Sequence, residues 1–296
     1  MSGNTMEFIT DYMRDDKCRH MLNELTQKTF GFDFEGWVMN GYFEGDYIPF
    51  SYVEGGKIVS NVSANRMCFR QNGSVCNYIQ IGTVMTDSDY RKQGLAAGLM
   101  KRVIEEYEKD YDGIYLFGDL SAAGFYHKLG FEIINQYRYF LKEEFCTFDK
   151  NAEPFRSIQD MDDVVKKKYL DYVRGSEPHS SFEQINKYGL QMFYTSGLDN
   201  VLYSADLDCF IVLEEGEIPV LQSILCREKV ALTDVIRHID LDKPRFMLGF
   251  TPLEENKDKC ISEVYDGGDD YRLFYRGKKL ESIEQDKLYF PGLSHA

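Results

Sequence analysis

The amino-acid sequence predicts a mixed α/β (α+β) protein of two units, and three observations lead to that fold class. Residues 47–85 hold three apolar-rich segments separated by glycine-containing turns, a pattern typical of an antiparallel meander. From residue 94 the apolar residues change to a helical period, and a short apolar strand follows at 114–117. The length of 296 residues exceeds that of a usual single domain, so we expect two units.

The first unit is predicted over residues 1–148, around a mixed, mainly antiparallel sheet. Asn72 and Gly73 indicate a hairpin, because both central positions of a type I′ turn need positive φ. Gly130 stands where a glycine commonly ends a helix. The predicted strands are 6–10, 47–53, 58–69, 75–85, 114–117, 131–134 and 137–141, and the predicted helices are 14–29, 94–107 and 120–129.

The second unit is predicted over residues 149–296, after a polar stretch that contains a proline. Its order of strand, strand, helix and strand faintly repeats the later part of the first unit, so we interpret it as an α+β unit. The predicted helices are 166–174, 182–193 and 233–239, and the predicted strands are 207–214, 218–225 and 245–250.

Composition narrows the class of function. The net charge of −15 argues against a nucleic-acid-binding protein, which needs a basic face to meet phosphates. No apolar run is long enough to span a membrane, and residues 1–5 lack the pattern of a signal peptide, so we expect a cytoplasmic protein. The seven cysteines show no metal-ligand spacing, and no metal is expected. The acidity is compatible with a cationic substrate, although solubility alone is the better explanation of it.

The residues that carry chemistry lie between Val84 and Ala97. A strand ends there, a loop presents Arg91 and Lys92, and a helix begins at Gly94. The first N–H groups of a helix lack internal partners and carry partial positive charge, which suits a pyrophosphate. By spacing alone, an ordinary strand-to-helix turn with solvated charges explains the segment as well.

Two motifs make this segment more specific. Arg91, Gly94 and Ala96 fill the pattern Gln/Arg-x-x-Gly-x-Gly/Ala, and residues 121–131 end in Phe-Tyr-x-x-x-Gly-Phe. In this order and separation they resemble motifs A and B of the GNAT N-acetyltransferase superfamily, over about residues 5–145. The resemblance implies an N-terminal GNAT fold that uses acetyl-CoA as co-substrate.

The resemblance also implies roles for single residues. Val84 is expected to present its amide to the thioester carbonyl, and Tyr126 is expected to protonate the leaving thiolate, although a core aromatic is the alternative for Tyr126. Residues at the end of the strand, in the loop and at the start of motif B are expected to hold the cofactor. They are Val84, Met85, Thr86, Arg91, Lys92, Gln93, Gly94, Leu95, Ala96, Ala97 and Ser121.

The acceptor site and the general base are less sharply indicated. Asp33 and Trp37 lie in the loop where the family usually builds its acceptor site, but a solvated loop with a buried tryptophan explains them equally. The C-terminal residues 289–296 are unusually aromatic and uncharged for a solvated tail. The two-unit layout partly resembles the enhanced-intracellular-survival type of aminoglycoside acetyltransferase, in which a degenerate GNAT-like unit follows the first and the chain terminus reaches the active site. That resemblance implies the carboxylate of Ala296, or alternatively His295, as the base.

The sequence therefore predicts an acetyl-CoA-dependent N-acetyltransferase. We expect it to transfer acetyl to a primary amine of a small, cationic or aromatic molecule by direct attack in a ternary complex. A protein or peptide acceptor, and a non-catalytic acyl-CoA sensor, are the alternatives. Neither a nucleic acid nor a membrane is an expected partner, and a homo-oligomer is left open.

Overall fold

The computed structural model describes residues 6–241, 243–268 and 271–296. The strands are β1 (Glu7–Thr10), β2 (Tyr47–Glu54), β3 (Lys57–Gln71), β4 (Ser74–Thr86), β5 (Gly113–Gly118), β6 (Glu132–Ile134), β7 (Gln136–Leu141), β8 (Arg156–Ser157), β9 (Phe182–Gln184), β10 (Val201–Ser204), β11 (Cys209–Glu214), β12 (Val220–Cys226), β13 (Met247–Leu248), β14 (Cys260–Tyr265) and β15 (Arg272–Arg276). The α-helices are α1 (Asp16–Phe30), α2 (Glu35–Met39), α3 (Leu95–Tyr107), α4 (Ala123–His127), α5 (Asp163–Arg174), α6 (Tyr188–Thr195), α7 (Leu232–Arg237) and α8 (Ser282–Gln285).

The first sheet has the strand order β1-β2-β3-β4-β5-β15-β6, and β9 adds to β3 outside this order. Only β4 and β5 pair in parallel among its described neighbours. The hairpin between β3 and β4 turns at Asn72 and Gly73, whose φ values are +48° and +79°. The predicted meander and its type I′ turn are therefore confirmed.

The second sheet repeats this topology with the order β8-β10-β11-β12-β13-β7-β14. Here β12 and β13 form the parallel pair, in the positions that β4 and β5 hold in the first sheet. The helix after β12, α7, has six residues, whereas its counterpart α3 has 13. The expected α/β fold class is confirmed, and the second unit is a reduced copy of the first.

Strands cross between the two halves of the chain, and β9 on β3 is one of them. β7 comes from the first half of the chain but pairs with β13 and β14 in the second sheet. β15 comes from the second half but pairs with β5 and β6 in the first sheet. The domain boundary between residues 148 and 149 stays a prediction. Strands from each side of this boundary pair with strands from the other side.

Apolar cores lie on both faces of the first sheet. α3 covers one face with Leu99, Met100 and Val103, which recur at helical spacing and are fully buried. α1 and α2 cover the opposite face, where Leu22 and Trp37 pack. This arrangement leaves the carboxyl end of β4 directly before the first turn of α3, where the sequence places its candidate site.

Some predicted elements are wrong in part. Residues 182–193 were predicted as one helix, but residues 182–184 form β9, because they pair with residues 69–71 of β3. The strand predicted at 245–250 is reduced to β13. β14, β15 and the short helix α2 were not predicted. Within the described residues, no helix has both the length and the apolar character that a membrane crossing requires.

We expect Phe274→Ala to lower the free energy of unfolding by about 3–5 kcal/mol, because it deletes a fully buried ring of β15 from the core of the first sheet. The measurement is denaturant unfolding followed by the fluorescence of Trp37, which lies in the first unit. Val164→Ala is the control, because Val164 is 73% exposed on α5. A Trp37 transition that does not move in the Phe274 variant would contradict the strand exchange.

Candidate active site

The backbone of β4 separates from β5 at the site. The two strands pair only as far as Ile81 and Leu116, so residues 82–86 have no partner on that side. Thr83 and Val84 also fall in the register irregularity between β4 and β3, and Thr83 has a φ of +42°. The bulge leaves the Val84 backbone outside both ladders, so its amide can meet a ligand in the gap.

The N-terminus of α3 opens beside this gap. Gly94 caps the helix with a φ of +79°, and within the described residues the helix has no side-chain cap hydrogen bond. A side chain at Gly94 would be conformationally strained, since L residues rarely adopt this φ. The Arg91 Nε donates to Thr86 O at 3.2 Å, which ties the loop to the end of β4. Free amides and the helix dipole make this turn suited to a phosphate group.

A cavity of about 860 Å³ continues from the gap into the molecule. Gly82, Val84 and Tyr126 line it near the gap. Its far part combines aromatic rings with carboxylates, and it is lined there by Phe32, Phe34, Trp37, Glu44, Asp46, Phe193 and Tyr194. Both halves of the chain therefore build one continuous chamber that can hold a small organic molecule.

Tyr126 is held firmly at the edge of the gap. It is 7% exposed, and its ring lies 4.8 Å from that of Phe274. Gly118 permits this position, because a Cβ there would lie 2.9 Å from the Tyr126 ring. Burial, and secondarily the charge of Asp119, raise the pKa of the Tyr126 phenol. The phenol therefore keeps its proton at neutral pH and is available as a donor.

The carboxylates of the chamber differ in their partners. Glu44 forms an ion pair with Arg174 at 2.6 Å. Asp46 accepts a hydrogen bond from the amide of Asn186 at 3.0 Å, and burial raises the pKa of its carboxyl group. Arg66 also lines the cavity, and its charge acts on the Asp46 carboxyl group against the effect of burial.

The chain terminus lies in the same cavity. A Cβ on Gly82 would overlap the terminal carbonyl group of Ala296, so this glycine of β4 permits the close approach. The His295 ring stacks on Phe117 with centroids 4.0 Å apart, and Tyr194 donates to His295 O at 2.5 Å. The His295 Nε2 is buried and has no hydrogen-bond partner among the described residues. Burial lowers the pKa of His295 to about 4, so the imidazole is neutral at physiological pH.

The residues predicted to bind the cofactor lie at the end of β4, in the loop and first turn of α3, and just before α4. Thr86 is held by the Ser60 hydroxyl at 2.9 Å, and the Ser121 amide donates to Asp119 at 2.5 Å. The Met85 side chain is buried in the core behind the sheet, so only its backbone can face a ligand. The loop and the first turn of the helix hold the others, which are Arg91, Lys92, Gln93, Gly94, Leu95, Ala96 and Ala97.

The two predicted acceptor residues separate in the structure. Trp37 lines the chamber, and its Nε1 donates to Gly189 O at 2.7 Å. Asp33 is exposed outside the chamber, where its carboxylate accepts from the Glu35 amide at 3.0 Å at the start of α2. Sequence reasoning missed Asp46, whose position beside α6 depends on contacts more than 100 residues apart.

Because the pKa of His295 is depressed from about 6.5 to about 4, its contribution to stability is complete above pH 6.5 and is lost as the pH falls to 4. Between these values we expect protonation of His295 in the unfolded chain to lower the free energy of unfolding by about 1.4 kcal/mol for each unit by which the pH falls. Denaturant unfolding across this range, compared with His295→Phe, measures the contribution. His20→Phe, at an exposed position, is the control. An identical pH slope in wild type and His295→Phe would contradict the prediction.

Comparison with known proteins shows which family the first half of the chain resembles. Residues 19–134 match the family model of the acetyltransferase (GNAT) domain. No curated protein sequence matches the chain significantly.

Solved structures resemble the chain over most of its length. A probable N-acyltransferase from Enterococcus faecalis V583 has 17% identity and a TM-score of 0.56, with 94% of this chain and 74% of that chain covered. A GCN5-related N-acetyltransferase from Kribbella flavida has 13% identity and a TM-score of 0.56, with 94% and 73% covered. Eis1 from Mycobacterium abscessus has 13% identity and a TM-score of 0.53, with 91% and 73% covered. The chain therefore matches the GNAT acetyltransferase domain over residues 19–134, and it shares its fold over more than nine tenths of its length with these three structures.

Proposed function

We propose that this protein is an acetyl-CoA-dependent N-acetyltransferase that acetylates a primary amine of a small, cationic or aromatic molecule. The observation that carries the proposal is the single cavity that joins the gap at Val84 to a chamber of aromatic and acidic residues. The terminal carbonyl group of Ala296 lies against Gly82, close to where the gap meets the chamber. A donor and an acceptor can therefore meet in one site, as direct transfer requires.

The residues around the gap fit acetyl-CoA. The uncapped amides of α3 suit its pyrophosphate, and Arg91 and Lys92 add positive charge. The unpaired edge of residues 82–86 offers backbone groups to the amides of pantetheine. When bound, acetyl-CoA supplies an electrophilic thioester carbonyl carbon.

Three groups of the chain have roles in the transfer. The Val84 amide donates a hydrogen bond to the carbonyl oxygen, where negative charge develops, an interaction that is worth several kcal/mol in comparable sites. The Ala296 carboxylate accepts the proton that the acceptor nitrogen loses. Tyr126 donates its phenolic proton to the departing sulfur, and its raised pKa keeps it protonated until then.

The composition of the chamber supports a small cationic acceptor. The Asp46 carboxylate favours positive charge, and the rings of Trp37, Phe193 and Tyr194 can pack on an aromatic group or a cation. The tail and α6 form part of the wall, which favours a small molecule over an extended polypeptide. An enzyme that depends on acetyl-CoA is expected in the cytoplasm.

Two alternatives predict different behaviour. A protein N-terminus or lysine as acceptor needs an open groove for the chain on either side of the amine. An acyl-CoA sensor needs the phosphate-binding turn but not a proton donor. The position of Tyr126 at the gap supports an enzyme over a sensor.

We expect Tyr126→Phe to lower kcat by about 10²–10⁴-fold, because it removes the proton donor for the thiolate but keeps the ring. The measurement is release of free coenzyme A, followed with a thiol reagent, from acetyl-CoA and a panel of polyamines, aminoglycosides, amino acids and lysine peptides. Tyr107→Phe is the control, because it also removes a buried phenol of the first unit but lies outside the cavity.

The panel decides between the alternatives. Release with small amines that Tyr126→Phe abolishes supports the proposal. Release with peptides alone would favour a polypeptide acceptor, and acetyl-CoA binding without release from any amine would favour a sensor.

We expect deletion of His295 and Ala296 to abolish turnover while the dissociation constant for acetyl-CoA stays within about twofold, because the deletion moves the carboxylate away from Gly82 but leaves the turn at Gly94 intact. Binding by calorimetry and turnover by coenzyme A release measure the two effects separately. A His295→Phe variant of full length retains the terminal carboxylate and is expected to stay active. Unchanged turnover after the deletion would rule out the terminal carboxylate as the base.

A further inference from the structure

The second sheet contains a counterpart of the gap that we assign to acetyl-CoA. β12 and β13 pair in parallel for only two residues on each strand, from Val220 with Met247 to Leu221 with Leu248. Beyond this pairing the strands continue to Gln222 on one side and Gly249 on the other. The helix that follows β12 is short and its loop carries no glycine, so this second gap lacks the phosphate-binding turn of the first.

The chain's own C-terminal segment occupies the second gap. The Gly292 amide donates to Gly249 O at 3.0 Å, on the β13 side. On the β12 side, a Cβ on Gly292 would overlap the Gln222 side chain, whose Oε1 is buried without a hydrogen-bond partner among the described residues. The Tyr289 amide donates to the Thr251 hydroxyl at 2.8 Å. The segment is therefore hydrogen-bonded on the β13 side of the gap and lies in close contact with Gln222 on the β12 side.

Apolar contacts anchor the same segment. Leu293 packs in the core between the second sheet, α5 and α6, and is 8% exposed. Phe290 is fully buried and stacks on Tyr115 of β5, with ring centroids 4.3 Å apart. The segment thus bridges the second gap and the first sheet.

From this anchor the last residues reach the candidate active site. Ser294 closes a turn, because its amide donates to Pro291 O at 2.8 Å. Tyr194 of α6 then holds His295 O, and Ala296 lies at Gly82. The direction of the terminus follows from where the preceding residues are bound.

We propose that the second unit is a peptide dock: the gap between β12 and β13 binds residues 289–293 and thereby positions the terminal carboxylate at Gly82. The site takes a short peptide with a glycine facing Gln222 and a leucine in the adjacent core. The positioning part of this inference rests on the proposed function, in which the carboxylate accepts a proton. The docking part does not depend on the proposed function.

The first experiment is a steric block with a designed rescue. Gly292→Val places a side chain against Gln222, and φ at Gly292 is not in the left-handed region, so the effect is steric rather than conformational. We expect kcat to fall at least tenfold while the acetyl-CoA dissociation constant changes less than twofold. Gln222→Ala removes the three atoms nearest to that Cβ, so the double variant is expected to return to within threefold of the wild-type kcat. Gly216→Val, in the β11–β12 turn, is the matched control with wild-type kcat.

Hydrogen exchange tests the dock without any acceptor. The amides of Tyr289, Phe290, Gly292 and Ser294, which donate hydrogen bonds in the structure, are expected to be protected in the wild type and in the double variant, and to exchange at least tenfold faster in Gly292→Val. Protection that is unchanged in Gly292→Val would overturn the dock, whatever the activity. Lost protection with unchanged kcat would overturn the positioning role. If no amine supports turnover in the wild type, the proposed function fails, and the exchange result still decides the dock.

Discussion

The backbone hydrogen bonds of β15 with β5 and β6 connect the parts of this molecule on which the site depends. β15 takes the position beside β5 that β7 would occupy if β7 paired in the first sheet. β7 pairs instead with β13 and β14 in the second sheet. Each sheet is therefore incomplete without a strand from the other half, so the two units are tied by main-chain pairing as well as by side-chain packing.

This pairing also fixes the relative position of the two gaps. β5 borders the first gap, and β15 on its other side leads through residues 277–288 to the C-terminal segment. The segment then has only a short distance to travel between the second gap and Gly82. The same topology occurs twice. The gap in the first sheet lies beside an uncapped helix, which suits the charged ligand that we propose. The gap in the second sheet has only the short α7 after β12, and it holds an uncharged peptide. The difference follows from the loop after the fourth strand, since the loop before α7 has no glycine like Gly94 and α7 is shorter than its counterpart α3.

The turn at Gly94 and the chamber differ in charge. The turn has an uncapped helix terminus and the exposed cations Arg91 and Lys92. The chamber is lined by the carboxylates of Asp46 and Glu44 and by the chain terminus, with Arg66 as a cation among them. The anionic cofactor and the cationic acceptor that we propose would therefore meet different surroundings.

The sequence by itself determined the features that depend on local conformation. The turn at Asn72 and Gly73 follows from positive φ, and the helix after Gly94 follows from apolar periodicity. The helix start at Gly94 and the position of Tyr126 at the cavity could be predicted because their motifs lie within short stretches of chain. The docked tail could be anticipated from its aromatic composition alone.

Only the tertiary structure decided which strands pair and what the chamber contains. β7 and β15 read as ordinary short strands or were missed, because pairing between residues more than 100 apart leaves no local pattern in a sequence. Asp46 became a candidate only beside Asn186, and Tyr194 only beside His295, whereas Asp33 proved to lie outside the chamber. Local backbone preferences are encoded residue by residue, but a cavity depends on the relative placement of whole elements, which packing and strand pairing settle together.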